Sequence, residues 1–403
     1  MQTTTSGELD VSTRKISLWN LFLIYFKIGF VGFGPTLAAE TKKYLVKKTK
    51  WISEEEFING LALAQLLPGA TFASLTVYIG YRLRGISGAV TSFFALILPP
   101  FIIMVLLSHI YFTYGLITQV SILFKGITVV VVGLMAHAFI EIGKSVVSDI
   151  RGVFIALVGI VVNLYYSNIF MVLFLAAAAG IILYYYPLKR QTELLSKTEG
   201  NTQRHRGVAP VKQMILLSVV FLVIGYAASF QPILLKLGLV FFRMGALLFG
   251  GGFSMIPFIQ QEVVMNYNWL TPDEFVVGIA LGQVTPGPIL ITATFIGYKV
   301  ASVLGAAAAT LGIFLPSLFL VPATIEIHEK IKKNLWVQAA LKGIVSTLAG
   351  MILVVIIHLA RYSLVDLPSA VLAIGTFGVL RVSKLDTIWV IIGGTIIYWL
   401  MKW

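Results

Sequence analysis

Apolar residues run along the chain in long blocks separated by short polar stretches. The long blocks lie near 18–39, 87–110, 120–143, 168–187, 213–230, 237–259, 301–323, 337–360 and 387–403. Shorter ones lie near 57–81, 152–165, 275–298 and 368–380. A helix rises about 1.5 Å per residue, so crossing hydrocarbon takes about 20 apolar residues. The long blocks therefore predict membrane-spanning helices. Those at 57–81 and 275–298 are too brief for two full crossings each and predict short or broken helices. The expected fold is all-α and polytopic.

Composition supports lipid as the main solvent. The 403 residues are 58% hydrophobic and 12% charged, with mean hydropathy +0.93. A soluble domain carries about 25% charged residues. Thirty Lys and Arg against 17 Asp and Glu give a net charge of +13. The basic residues fall mostly in short loops, where they act as topology signals toward anionic headgroups. With no basic soluble domain, nucleic acid is not an expected partner. The absence of cysteine excludes disulfides, thiolate metal sites and cysteine nucleophiles. The polar tail 1–17 has no signal-peptide core, which leaves insertion to the spans themselves. A multi-pass protein of the cell membrane is expected. Its polar linker 189–212, with Lys189, Arg190, Lys197, Arg204 and Arg206, is expected in the cytoplasm.

The chain repeats itself. WISEEEFINGLALAQLLPG at 51–69 returns as WLTPDEFVVGIALGQVTPG at 269–287. Lys27 corresponds to Arg243, Gly34 to Gly250, Pro99 to Pro316, Lys125 to Lys342, Gly133 to Gly350 and Asp149 to Asp366. Two repeats, 18–188 and 237–403, follow from this, with 213–230 as an extra connecting span. Lys42, Lys43, Lys47, Lys48 and Lys50 have no basic counterparts around Gln260–Glu262. Conversely, uncharged 111–119 corresponds to a stretch holding His328, Glu329, Lys330, Lys332 and Lys333. Equivalent loops with opposite charge bias predict an inverted repeat.

The duplicated motif carries the best candidate chemistry. Ser53 and Thr271 are placed as N-caps, with Glu56 and Glu274 three residues on and Pro272 at the first helical position. Helices therefore start near 54 and 272, end at Pro68-Gly69 and Pro286-Gly287, and are followed by second short helices to about Tyr81 and Tyr298. Basic flanks on both sides of 51–81 predict a re-entrant hairpin with its tip near mid-membrane. A helix starting at that tip offers unpaired N–H groups and positive dipole to an anion. Ser74, Thr76, Thr292 and Thr294 would add hydroxyls, and Gln65 and Gln283 amides. The same residues would also fit a kinked continuous helix whose polar groups bridge neighbouring helices.

Lys27 and Arg243 place a cation within the first span of each repeat, where charge is costly and usually functional. Gly34 and Gly250, Gly251 and Gly252 permit local unwinding beside them. Lys125 and Lys342 form a second duplicated cation pair, close enough to span ends to snorkel. Glu262, or Glu40 at a shifted place, could carry a coupled proton or pair with a cation. No metal site is expected, and His109, His137 and His358 are scattered one to a span.

Together, FKIGFVGFG with WISEEEFINGLALAQLLPGA, and FFRMGALLFGGGFSMIPFIQQEVV with WLTPDEFVVGIALGQVTPGP, resemble the chromate ion transporter family in its long two-domain form. The resemblance covers nearly the whole chain apart from the first 15 residues and the linker. It implies a secondary carrier exporting chromate, a tetrahedral dianion similar to sulfate, and so conferring chromate resistance, through two homologous domains of opposed orientation. A membrane-embedded enzyme would need a catalytic pair or metal cluster in the spans, and the sequence offers neither, nor a cofactor fingerprint, so no enzyme activity and no cofactor are expected. Two departures stand out: Phe33-Gly34-Pro35 has one glycine fewer than the family's first motif, and Tyr44 stands where that motif has a glutamate. Half two has Glu262 at that place. A sulfate carrier or a passive anion channel fits the same residues, and a homodimer stays open as the assembly.

Overall fold

A computed structural model describes residues 16–34, 36–146, 149–165, 169–195, 231–247, 249, 252–325, 334–383, 385 and 387–402. The expected extra span at 213–230 lies outside them, as do Gly250, Gly251 and the charged stretch 328–333. The first repeat forms α1 (Leu18–Val31), α2 (Thr36–Lys42), α3 (Glu54–Leu66), α4 (Thr71–Tyr114), α5 (Thr118–Val146), α6 (Ile150–Tyr165) and α7 (Ile169–Leu195). The second forms α8 (Pro232–Ala246), α9 (Ile256–Gln260), α10 (Pro272–Val284), α11 (Thr292–Thr324), α12 (Leu335–Ser363), α13 (Leu367–Val382) and α14 (Thr387–Lys402) in the same order. Five stretches are long and apolar enough to cross a bilayer: Thr71–Tyr114, Thr118–Glu141, Met171–Arg190, Ile289–Thr324 and Leu335–Ser363. Large apolar side chains such as Phe154, Phe174, Ile182 and Leu400 stay exposed, as suits a surface meant for lipid.

The first block of each repeat is not one uninterrupted span. α1 stops at Val31, and its partner α8 stops at Ala246. Lys27, expected within a continuous span over 18–39, is therefore one turn from a helix end. After the break, α2 and α9 each continue as a π-helical turn, Lys43–Lys48 and Gln261–Asn266.

α4 and α11 fold back on themselves. Arg84 and Gly85 leave helical geometry, and so do Ala301 and Ser302. In a straight helix, residues 16 apart would lie about 24 Å apart. Yet Ser92 Oγ donates to the Thr76 carbonyl at 3.1 Å, and the Thr294 and Thr310 hydroxyls lie 2.7 Å apart. Glycines make the close return feasible: a Cβ on Gly80 would sit 2.5 Å from the Gly88 oxygen, and one on Gly297 would sit 2.2 Å from that of Gly305. Each fold-back gives a short arm and a long arm, 71–83 with 86–114 and 292–300 with 303–324.

The short arms pair with α3 and α10. Gly60 faces Tyr78 and Gly278 faces Phe295, equivalent contacts in the two repeats. The result is two helical hairpins. Hairpin one lies beside the first half of the long arm of α4, as the Gly80–Gly88 and Thr76–Ser92 contacts require. Hairpin two lies beside the second half of that same arm. Its tip at Gly287 meets Pro100, and its base meets the arm's end, where Tyr298 hydrogen-bonds His109 at 2.9 Å and Phe295 packs on Phe112. The hairpins enter from opposite ends of one helix, the geometry of antiparallel repeats.

The remaining helices are exchanged between repeats. α5 of the first repeat packs on α13 and α14 of the second, and α12 of the second packs on α6 and α7 of the first. Gly133 meets the Ala373 carbonyl and Gly350 meets that of Ala156. These are matching pairs at one repeat offset. Gly126 against Tyr398 and Gly343 against Ala176 are further close approaches between the repeats. Small residues let helices approach where lipid gives no hydrophobic drive to pack. At the edge of this exchanged layer Asp366 caps α13 and pairs with Lys402; that hydrogen bond, with those from Ser369, holds its carboxyl well below the ordinary carboxylate range.

Candidate functional site

The hairpin tips are built by their caps. Ser53 accepts from the Glu56 amide at 3.1 Å, and Thr271 with Glu274 forms a full capping box. Both helices end where the chain turns extended at Leu67 and Thr285. Prolines then forbid continuation, and Gly69 (φ +132°) and Gly287 (φ +101°) take up backbone that L side chains avoid. Ion pairs close the far ends: Arg82 with Glu56 at 2.5 Å and Lys299 with Glu274 at 2.7 Å.

Each tip is seated on the other repeat. Gly69 lies against Ser317, which accepts from Ser74 Oγ at 3.0 Å. Gly287 lies against Pro100, the position equivalent to Ser317. Gly287 also pairs with the unwound chain after α1. Its N–H donates to the Gly32 oxygen at 2.6 Å, and the Gly34 N–H donates to the Gly287 oxygen at 3.1 Å. Those two amides serve the protein itself. The glycines beside Lys27 thus reach a tip of the opposite repeat, and Ile289 bridges Gly34 and Gly252.

The polar side chains at the tips differ in their satisfaction. Ser74, Thr76, Thr292 and Thr294 are all buried. Thr292 Oγ1 donates to the Ile289 carbonyl at 3.0 Å, and Thr294 is paired with Thr310. Gln65 is exposed, whereas its partner Gln283 is buried. Gln283 Nε2 and Thr285 Oγ1, two residues apart at tip two, are enclosed without a hydrogen-bond partner. Most buried polar groups are bonded, so each such exception asks for a reason.

The duplicated cations lie on exposed faces of α1 and α8. Glycines lock both helices onto the long arms, Gly29 on Leu96 and Gly245 on Ile313. Arg243 is paired with the buried Glu262 at 3.2 Å. Lys27 sits 5.3 Å above the ring of Tyr44, the residue equivalent to Glu262. Glu40 turns instead to Lys43 at 2.9 Å, and this hydrogen bond raises the pKa of the Lys43 ammonium. Lys342 lies over Tyr184, whose hydroxyl donates to Asp149 at 2.5 Å, and so binds helices of both repeats together. Lys125 is exposed on α5. Among the described residues, no group of three or more His, Asp or Glu is arranged to hold a metal.

Against known families, a model described as chromate transporter matches residues 19–182 and again 235–399. The chain belongs to the chromate transporter family. A chromate transport protein of Cupriavidus metallidurans is 31% identical over 399 residues, 98% of this chain and 96% of its own. An uncharacterised transporter of Methanocaldococcus jannaschii is 33% identical over 345 residues, 85% of each chain. A probable chromate transport protein of Synechococcus elongatus is 30% identical over 359 residues, 88% of this chain and 87% of its own. No solved structure matches. The protein is thus a polytopic all-α membrane protein of two repeats, and its family is one of transporters.

For this transporter-family chain, sequence reasoning missed Thr285, Ser317 and Pro100. Thr285 has Leu67 as its counterpart, so a search for duplicated polar positions passes over it. Ser317 and Pro100 are equivalent to each other but share no chemistry. Their signal was the duplicated proline one residue before, Pro99 and Pro316.

Proposed function

We propose that this protein carries chromate, or a tetrahedral oxyanion of the same charge and shape, across the cell membrane. The observation that supports this most is the pair of unsatisfied polar groups, Gln283 Nε2 and Thr285 Oγ1, buried at the tip of hairpin two. An amide nitrogen can only donate, and a hydroxyl can donate. Donors held without a partner at a hairpin tip suit an anion in transit. Lys27 supplies positive potential, while the charge of Arg243 is offset by Glu262. The tips at Pro68-Gly69 and Pro286-Gly287, with Ser74, Thr76, Thr292 and Thr294 behind them, shape its walls. Two relatives carry names that assign them chromate transport or its probability.

Alternating access then comes from rocking one hairpin with its exchanged helices against the other. With opposed entry, hairpin one opens to one side of the membrane and hairpin two to the other. The basic face at Lys42–Lys50 marks the cytoplasmic side, where it concentrates anions for export. Such export would give the cell resistance to chromate.

The test is uptake of radiolabelled chromate by inverted vesicles containing the protein, with sulfate as competitor and with an imposed pH gradient. Saturable uptake above that of empty vesicles is expected. Competition by sulfate at similar concentration would broaden the cargo to oxyanions. Flux without saturation would indicate a channel, and no flux of either ion would refute the reading.

A further inference from the structure

The two repeats hold their equivalent cations in chemically opposite ways. In the second, Arg243 faces a carboxylate: Glu262 lies 3.2 Å away and is buried. In the first, Lys27 faces an aromatic ring, with Tyr44 at 5.3 Å. Both partners come from the second residue of the same π-helical turn. The pairing geometry is therefore duplicated while its charge is not. Lys48 lies 4.8 Å and Lys43 5.8 Å from the same Tyr44 ring. Glu40 neutralises Lys43. Among the described residues, no carboxylate forms an ion pair with Lys27 or Lys48.

A ring and a carboxylate differ in what an arriving anion must displace. Glu262 already occupies the guanidinium with a full negative charge, so an oxyanion must compete with it. A ring attracts a cation through its quadrupole and orients it, yet leaves the charge uncancelled. We infer that the first repeat carries the anion-accepting cation site, Lys27 and Lys48 gathered on Tyr44, and that Arg243 with Glu262 is its self-neutralised counterpart. Tyr44 is then a positioning residue: it engages both ammonium groups through its ring and leaves their charge available to a divalent oxyanion. This rests on the transport reading above and assigns the repeats unequal work in it.

The experiment gives position 44 the carboxylate that the second repeat already uses at that place. Full-length protein is reconstituted, and initial rates of chromate uptake are measured against concentration. Tyr44→Glu is expected to raise KM for chromate tenfold or more with Vmax within threefold. Tyr44→Phe, which keeps the ring, stays within twofold of the parent in both. The converse arm does not depend on Tyr44→Glu inserting: Glu262→Gln removes the carboxylate facing Arg243 and is expected to lower KM threefold or more. A normal KM in Tyr44→Glu, equal damage in Tyr44→Phe, or a KM that stays or rises in Glu262→Gln overturns the inference. A parent protein that moves neither chromate nor sulfate instead refutes the transport reading.

Discussion

The amide of Gly287 donates to the carbonyl of Gly32 across 2.6 Å, joining the hairpin tip of one repeat to the broken first helix of the other. The bond ties three features into one joint: the break that ends α1 one turn after Lys27, the tip beyond Gln283 and Thr285, and the long arm of α4 at Pro100. Gly287 sits at φ +101°, and a Cβ there would lie 2.7 Å from Pro100 Cγ. Gly287→Ala would therefore meet both backbone strain and overpacking, together about 2–4 kcal/mol. Lower melting temperature in detergent and at least tenfold slower flux are expected. A variant that melts and transports normally would show that the joint does not hold the tip.

Exchange of helices between repeats gives a second prediction. A Cβ on Gly133 would stand 2.3 Å from the Ala373 oxygen, which is backbone and cannot move aside cheaply. Gly375, on the same partner helix, has open space around its Cβ position. Gly133→Ala is expected to destabilise by about 1–3 kcal/mol. Gly375→Ala, by contrast, should be neutral or slightly stabilising, since alanine is the better helix former. Thermal unfolding of the two purified variants compares them directly. Equal effects would mean that the crossing of α5 and α13 is not tight.

Much of this architecture is legible in the sequence because the chain states it twice. Caps at Ser53 and Thr271 and stops at Pro68 and Pro286 define the hairpins by local chemistry alone. The unwinding after α1 follows from Gly32 and Gly34. What pattern could not give is which element meets which. Gly133 and Gly350 announce that something approaches closely, but a glycine does not name its neighbour, and the exchange of helices stayed hidden. The Lys27–Tyr44 contact was hidden for a related reason. It joins residues 17 positions apart through a break and a π turn, and neither leaves a periodic trace. Lys27 also reads as central only while 18–39 is taken as one helix.

The fold-back turns offer an internal comparison. Gly85 (φ +64°, ψ −149°) and Ser302 (φ +52°, ψ −146°) hold nearly the same backbone, in a region that glycine alone enters freely. The second repeat therefore carries strain that the first avoids. Ser302 is exposed, so little packing is lost on truncation. Ser302→Gly is expected to stabilise by about 1 kcal/mol, and Gly85→Ser to destabilise by about 1–3 kcal/mol. Differential melting of both variants tests the pair. A destabilised Ser302→Gly would show that the serine side chain contributes more than its backbone costs.

Gln283 and Thr285 separate structural from functional polarity. A buried polar group without a partner costs about 1–3 kcal/mol. If the chain tolerates that cost to bind an anion, removing the group should relieve it. Thr285→Val keeps the shape of the side chain and deletes the hydroxyl. It is expected to melt at higher temperature than the parent without ligand, and to lose the added thermal protection that chromate or sulfate gives. Uptake should fall tenfold or more, mainly through KM. Gln283→Leu should behave likewise. A structural role predicts the opposite sign, with lower melting temperature and transport reduced only in proportion to folded protein. The melting temperature without ligand thus decides the matter before any flux is measured, and a destabilised Thr285→Val that still binds both anions would remove tip two from the transport path.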